Sequence, residues 1–225
     1  MENILAETQT ELSNTTSSVV FDFDKTLINP DTTLGFFLFE RFWLLQWMIF
    51  LHYGILAVGR RLGLFTKAQV KLRLLNIWCG RETEISLEIR GKKYAKTLKM
   101  NGMLQVLDSA VISNQCKVWV VSASLDIWVK PLFNSLEVNV LASHIFKDGF
   151  GKWQLGLHCY GDEKASQLLA LGIKQLSKVY TDGMGDSAIV AMSEEWHGVH
   201  RGQVVEVGKG LITFESWVLR NKRKR

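Results

Sequence analysis

Proline occurs only twice in the 225 residues, and no Ser/Gly-rich linker, internal repeat or low-complexity tract is present. Composition therefore marks no domain boundary. Cysteine is scarce as well. Cys79, Cys116 and Cys159 lack metal-like spacing, and their odd number suits a reducing compartment better than a disulfide framework. The opening stretch MENILAETQTELSNTTSS lacks the basic-then-apolar order of a secretory signal, which leads to the expectation of a cytoplasmic location. An excess of positive charge is missing from the body of the chain: Arg220, Lys222, Arg223, Lys224 and Arg225 of the tail RNKRKR account for the whole net charge of +5 and leave 22 basic against 22 acidic residues. That excludes a nucleic-acid-binding surface spread over the fold. The tail either solvates the chain end or meets anionic lipid headgroups.

What is present is long enough for one domain, or for a core domain carrying an insertion. Residues 19–33 read VVFDFDKTLINPDTT, an apolar run that ends in two acids. In a strand, residues i and i+2 share a face, so Asp22 and Asp24 should leave the sheet edge together while Lys25 alternates away. Like charges that close raise one carboxyl's pKa unless a cation intervenes. The pair reads as a metal site or an acid/base pair, against the plainer alternative of a solvated strand end.

From Leu34 to Leu98 the pattern is helical, rich in Leu, Phe and Trp. After Asn101 helices and strands alternate: MLQVLDSAVIS, KVWVVSAS, DIWVKPLFNSL, VNVLAS, a glycine-turned β excursion KDGFGKWQL, EKASQLLALG, KVYTD, and a helix DSAIVAMSEE. Alternation of this kind predicts an α/β fold with a parallel sheet covered on both faces. Reactive residues in such sheets collect at the carboxyl ends of the strands. There stand Asp22 and Asp24, Ser122, and Asp182 with Asp186, while Lys164 opens a following helix. So many carboxylates in one crevice call for a hard divalent cation, and Mg²⁺ takes oxygen ligands while leaving room for a phosphate. Ser122, Lys164 and backbone N–H groups near Ala123 would hold the remaining phosphate oxygens. A carboxylate can attack phosphorus, and a neighbouring carboxyl can protonate the leaving oxygen.

FDFDKT matches the DxDxT signature of the haloacid dehalogenase superfamily; VVSAS, GDEK and YTDGMGD resemble its second, third and fourth motifs, in the family's order. The resemblance implies a three-layer Rossmann-like core (residues 1–33 and 99–225) and an all-helical cap inserted at 34–98, as in the phosphoserine-phosphatase-like branch. It implies Asp22 as nucleophile, Asp24 as general acid/base, Thr26 as orienting residue, and Ser122, Ala123 and Lys164 as phosphate-binding. Mg²⁺ would sit on Asp22, the backbone carbonyl of Asp24, and Asp182, with Asp186 one layer out or acting through water. Gly183 departs from the family pattern, where Ser is frequent.

The insertion begins unusually. Between Arg41 and Arg60 lie 18 residues without formal charge, the lower limit for a membrane span. A single crossing would put Asp22 on the opposite side from Ser122, Lys164 and Asp182, so the segment should lie in the interface, re-enter, or pack within the cap or against a second subunit. Its aromatics and flanking arginines fit peripheral membrane contact through residues 36–61. The insertion looks like that of the bacterial phosphatidylglycerophosphate phosphatases of this superfamily, which implies an amphiphilic or lipid phosphate as substrate. Phosphoserine phosphatases use an acid after the first motif and a cap arginine, and Asp31 and Arg73 stand at roughly corresponding places. A small phosphate such as phosphoserine, a phosphotransferase, and a non-catalytic membrane-associated binding protein are the alternatives. The sequence sets no oligomeric state.

Overall fold

The computed structural model describes residues 17–113 and 115–222; the N-terminal segment and tail residues Arg223 to Arg225 lie outside them. Strands β1 (Ser17–Phe21), β2 (Cys116–Leu125), β3 (Asn139–Lys147), β4 (Trp153–Leu157), β5 (Leu176–Thr181), β6 (Ser193–His200) and β7 (Gln203–Gly208) form one sheet in the order β4-β3-β2-β1-β5-β6-β7. The inner five are parallel. Both edge pairs are antiparallel, so the sheet is parallel through its centre and antiparallel at its two edges. Val19, Val20 and Phe21 in β1 are all buried, because helices cover both faces. On one face Leu107 of α5 (Met103–Ser113) and Trp128 and Phe133 of α6 (Asp126–Phe133) pack into one cluster. On the other, Leu168 of α7 (Asp162–Ala170), Ile189 of α8 (Ser187–Ala191), and Phe214 and Trp217 of α9 (Leu211–Lys222) form a second.

The helix expected over DSAIVAMSEE stops at Ala191, and Ser193 to Glu195 already belong to β6. Trp196, Gly198 and Val199 bury that strand, and aromatic and β-branched side chains favour the pleated state over a second helical turn.

The insertion consists of α1 (Thr32–Leu38), α2 (Trp43–Arg61), α3 (Lys67–Trp78) and α4 (Glu84–Ala95). Asp31 caps α1 through Thr33 N, a capping box between Thr66 and Gln69 starts α3, and Thr83 caps α4 through Ser86 N. This segment shares one hydrophobic cluster with the core. Phe36 stacks on Trp128 at 4.6 Å, and Tyr94 meets the same indole edge-on at 6.0 Å. Trp128 Nε1 donates to Thr32 Oγ1 (3.0 Å) and the Tyr94 hydroxyl to Thr32 O (3.0 Å). At Gly91 on α4, a Cβ would lie 2.6 Å from the Ile127 carbonyl oxygen of α6, so only glycine permits this approach. Asn101 ties the insertion's entry to its exit: its Nδ2 donates to Thr26 O (2.9 Å) and Asn29 Oδ1 (3.0 Å), and its N–H to Leu27 O (2.9 Å).

Helix α2 is the exception to this burial. Only Ile49, Leu56 and Gly59 are buried, whereas Trp43, Trp47, Leu51 and Ile55 are each at least 60% exposed. No helix among the described residues is long and apolar enough to cross a membrane. Packing within the insertion therefore accounts for one narrow face of α2 and leaves an apolar face outward.

Candidate active site

Strand pairing of β1 ends at Phe21, three residues before the second acid, although Asp22 N still donates to Tyr180 O (2.9 Å). The chain then turns sharply. The N–H groups of Thr26, Leu27 and Ile28 converge on Phe23 O at 3.3, 2.9 and 3.1 Å, and Lys25 takes a left-handed φ of 64°. Strict alternation thus fails after Phe23. Asp24 reaches the crevice from the turn, and Lys25, expected to point away, stands on the crevice wall.

Asp22 is 8% exposed. Its Oδ1 accepts from Lys164 Nζ at 2.7 Å and its Oδ2 from Thr26 Oγ1 at 3.3 Å. Lys164, near the start of α7, is 2% exposed. Its ammonium also donates to Asp186 Oδ1 (2.6 Å) and Val121 O (2.8 Å), and Thr181 Oγ1 donates to Asp186 Oδ2 at 2.5 Å. One lysine thus faces two carboxylates, with Asp182 adding charge within the same crevice. Burial first, then the Asp186 charge, hold the Asp22 carboxyl above the usual carboxylate range against the pull of Lys164, and Asp182 adds to the rise. Burial works against the charge on Lys164, but Asp186 and Asp22 outweigh it and hold the ammonium firmly protonated.

Asp24 has separate partners. Its Oδ1 accepts from Thr32 N (2.8 Å) and its Oδ2 from Ser124 Oγ (2.5 Å). Burial and the Asp31 charge raise its pKa, and the bonds from Ser124 and Thr32 oppose them. Two acids two residues apart therefore occupy different environments, one ion-paired and one held by neutral donors.

A cavity of about 460 Å³ joins these groups. Its floor carries Asp22, Asp24, Lys164, Asp182 and Asp186, with Ala123 and Ser124 beside them; Asp31 lies on its wall. Ser122 is fully buried behind this surface, where its Oγ accepts from Ser124 N at 2.9 Å. Arg73 is exposed on the outside of α3 with its guanidinium 4.4 Å from the Phe65 ring centroid, away from the crevice. Two residues earlier, Lys71 is 6% exposed and its ammonium donates to the Ala123 carbonyl. Lys67 and Arg60 line the same roof. Reading the strand ends alone misses Ser124 and these three cations. The signal for the lysines was available in helical phase, because Lys71 sits between Val70 and Leu74 on the apolar face of KAQVKLRL.

No cluster of three or more His, Cys, Asp or Glu side chains spaced to hold a metal ion occurs among the described residues. The set expected for Mg²⁺ uses only two carboxylates, Asp22 and Asp182, and one backbone carbonyl, that of Asp24. Such an all-oxygen set leaves the other octahedral positions to water and phosphate. The surplus negative charge that raises Asp22 fits a hard cation in this place.

A family model described as haloacid dehalogenase-like hydrolase matches residues 19–189. Among solved structures, the chain resembles a protein of unknown function from Bordetella pertussis Tohama I, with 17% identity, 78% of this chain and 86% of that one covered, and a TM-score of 0.60. It also resembles a phosphoserine phosphohydrolase-like protein from Francisella tularensis subsp. tularensis SCHU S4, with 18% identity, coverage of 81% and 86%, and a TM-score of 0.58. An apo phosphoserine phosphatase aligns at 15% identity over 80% of this chain and 84% of its own, with a TM-score of 0.53. These likenesses describe the fold. No curated protein matches the chain.

Proposed function

Because the chain belongs to the haloacid dehalogenase-like hydrolases, we propose that it is a Mg²⁺-dependent phosphomonoesterase working through an aspartyl-phosphate on Asp22. The observation that carries this reading is the contrast between Asp22, ion-paired to Lys164 at 2.7 Å, and Asp24, bonded to Ser124 and Thr32 with a raised pKa. Asp22 attacks phosphorus and the P–O bond to the alcohol breaks. Asp24, protonated, gives its proton to the leaving oxygen. Asp24 then takes a proton from water, whose oxygen attacks phosphorus and releases inorganic phosphate and free Asp22. Lys164 and the backbone N–H groups around Ala123 hold the non-reacting phosphate oxygens, Ser122 supports that segment from behind by accepting from Ser124 N, and Thr26 orients Asp22. Mg²⁺, when bound by Asp22, the Asp24 carbonyl and Asp182, supplies charge neutralisation for the transferring group. Asp186 acts one layer out by positioning Lys164.

In this reading the core (1–33 and 99–225) carries the chemistry, and the helical cap (34–98) selects an amphiphilic or lipid phosphate such as phosphatidylglycerophosphate. The outward apolar face of α2 supports peripheral membrane contact within residues 36–61. The basic tail would add attraction to anionic lipid. The test is phosphate release from p-nitrophenyl phosphate, phosphoserine and lipid phosphates, with and without Mg²⁺ and detergent. Mg²⁺-dependent release that Asp22→Asn abolishes is expected. Release unaffected by Asp22→Asn removes the enzyme reading, and preference for a water-soluble phosphate removes the lipid one.

A further inference from the structure

Thr32 opens α1 of the insertion, Ser124 lies near the end of β2, and Trp128 sits in the first turn of α6. Thr32 and Trp128 are fully buried, and Ser124 is 1% exposed. Their polar atoms form one chain that ends on an acid of the crevice. Trp128 Nε1 is 3.0 Å from Thr32 Oγ1, Thr32 Oγ1 is 3.0 Å from Ser124 Oγ, and Ser124 Oγ is 2.5 Å from Asp24 Oδ2.

The order of donors follows from the far end. An indole N–H can only donate, so Thr32 Oγ1 accepts from Trp128, and its own hydroxyl proton is available to Ser124. Ser124 in turn donates to Asp24 Oδ2. In this order both buried hydroxyls accept and donate, and neither is orphaned, a loss that costs about 1–3 kcal/mol. Thr32 serves the same carboxyl a second time, because its backbone N–H donates to Asp24 Oδ1 at 2.8 Å.

The members of the chain are themselves fixed. Ser124 N donates to Ser122 Oγ (2.9 Å), and the carbonyl before it, that of Ala123, accepts from Ser143 Oγ (2.7 Å) and from the Lys71 ammonium. The Thr32 carbonyl accepts from the Tyr94 hydroxyl at 3.0 Å. Both oxygens of Asp24 are thus bound from the buried side by donors that are held in place. A carboxylate offers about four lone-pair sites, and those left open on Asp24 serve the cavity it lines. Asp22, two residues away, is held instead by Lys164 and Thr26.

We propose that Ser124, Thr32 and Trp128 are positioning residues, a hydroxyl relay that sets the carboxyl of Asp24 in the orientation from which it protonates the leaving oxygen. This rests on the phosphatase reading, in which Asp24 is the acid. The relay neither gains nor loses a proton; the one delivered to the leaving oxygen is Asp24's own.

Orienting an acid matters in proportion to how much the leaving group needs a proton. p-Nitrophenyl, phenyl and benzyl phosphates share an aromatic ring and release alcohols of rising basicity. p-Nitrophenolate departs without a proton at neutral pH, and a benzyl alkoxide does not. The test measures kcat/KM on the three esters for wild type, Ser124→Ala, Thr32→Val and Thr32→Ser. This quantity ends at formation of the aspartyl-phosphate, the step in which Asp24 acts as acid. Ser124→Ala should lower it about 10- to 100-fold on benzyl phosphate and by less than about fivefold on p-nitrophenyl phosphate, with phenyl phosphate between, since a positioned acid contributes about 10²–10⁴. Thr32→Val, which keeps the shape and removes the hydroxyl, should show the same gradient, and Thr32→Ser should keep that of wild type. An equal loss on all three esters means general damage to the site and overturns the relay.

A second readout needs no turnover. The Trp128 indole N–H resonance, assigned by its disappearance in Trp128→Phe, is followed by NMR in an Asp22→Asn background. Adding Ser124→Ala or Asp24→Asn should shift it, because each changes what lies beyond Thr32 in a chain of mutually polarised bonds. A signal that stays put in both overturns the relay. If wild type turns over none of the three esters, the phosphatase reading falls, and the indole resonance still decides whether the relay holds Asp24.

Discussion

Lys164 Nζ stands 2.7 Å from Asp22 Oδ1, and the same ammonium is 2.6 Å from Asp186. The lysine thus connects the first strand end to the segment after β5. Lys164→Met should lower kcat by about 10²- to 10³-fold, the usual effect of losing one preorganised charge at a reacting oxyanion. It should also destabilise the fold by about 3 kcal/mol, because it leaves two buried carboxylates facing each other. Steady-state kinetics with denaturant melts in parallel checks both. Unchanged kcat would remove Lys164 from the chemistry.

Lys71 gives a pH signature. Burial lowers its pKa from 10.5 to about 8, against the smaller opposing pull of Asp24 and Asp31. The folded state therefore binds this proton less tightly than the unfolded state, and stability rises with pH as the proton is lost. Lys71→Met should accordingly be more stable than wild type, by about 3 kcal/mol below pH 8. The gap should close between pH 8 and 10.5. Melts of the two proteins across that range test it, and a gap independent of pH would mean that the stabilisation is packing alone.

On α2, replacing Trp43, Trp47 and Leu51 together by Ser should abolish co-sedimentation with vesicles containing phosphatidylglycerol and leave hydrolysis of p-nitrophenyl phosphate in solution within about twofold, since these side chains point away from the cavity. If the wild-type protein ignores vesicles and light scattering gives a dimer that the triple variant dissolves, the face belongs to a second copy.

Gly91→Val should destabilise the protein by about 1–3 kcal/mol. The added Cβ meets the Ile127 carbonyl, which α6 cannot move without disturbing the Trp128 stack. A thermal melt unaffected by the change would mean that α4 and α6 are looser than their contact implies.

The strand-end motifs were legible because a parallel sheet gathers the ends of β1, β2 and β5 into one crevice, whatever the helices do. Asp22 and Asp182 reach the cavity for that reason, Asp24 and Asp186 reach it from the turns that follow β1 and β5, and Lys164 from the first turn of α7. What the sequence concealed depends on phase and on long-range pairing. Arg73 and Lys71 differ by two positions, about 200° of helix, and that rotation separates solvent from crevice. SEEWHGVH carries charges that suit a helix, and only pairing with β5 and β7 makes it a strand. Ser124 looked like a bystander of Ser122, because its bond to Asp24 spans 100 residues.

The Phe36, Tyr94 and Trp128 cluster ties α1 and α4 to the core, which restricts how the crevice can open. A hinge swing of the whole insertion would tear an aromatic stack out of a shared interior. Helix α2 is held inward by Ile49, Leu56 and Gly59, by the partly buried Tyr53 and by Trp78 Nε1 donating to His52 Nδ1 (3.0 Å). Tyr53, Ala57 and Arg60 line the cavity on the inner side of the helix whose far side is bare, so anything that docks on the bare side sits one helix width from the crevice.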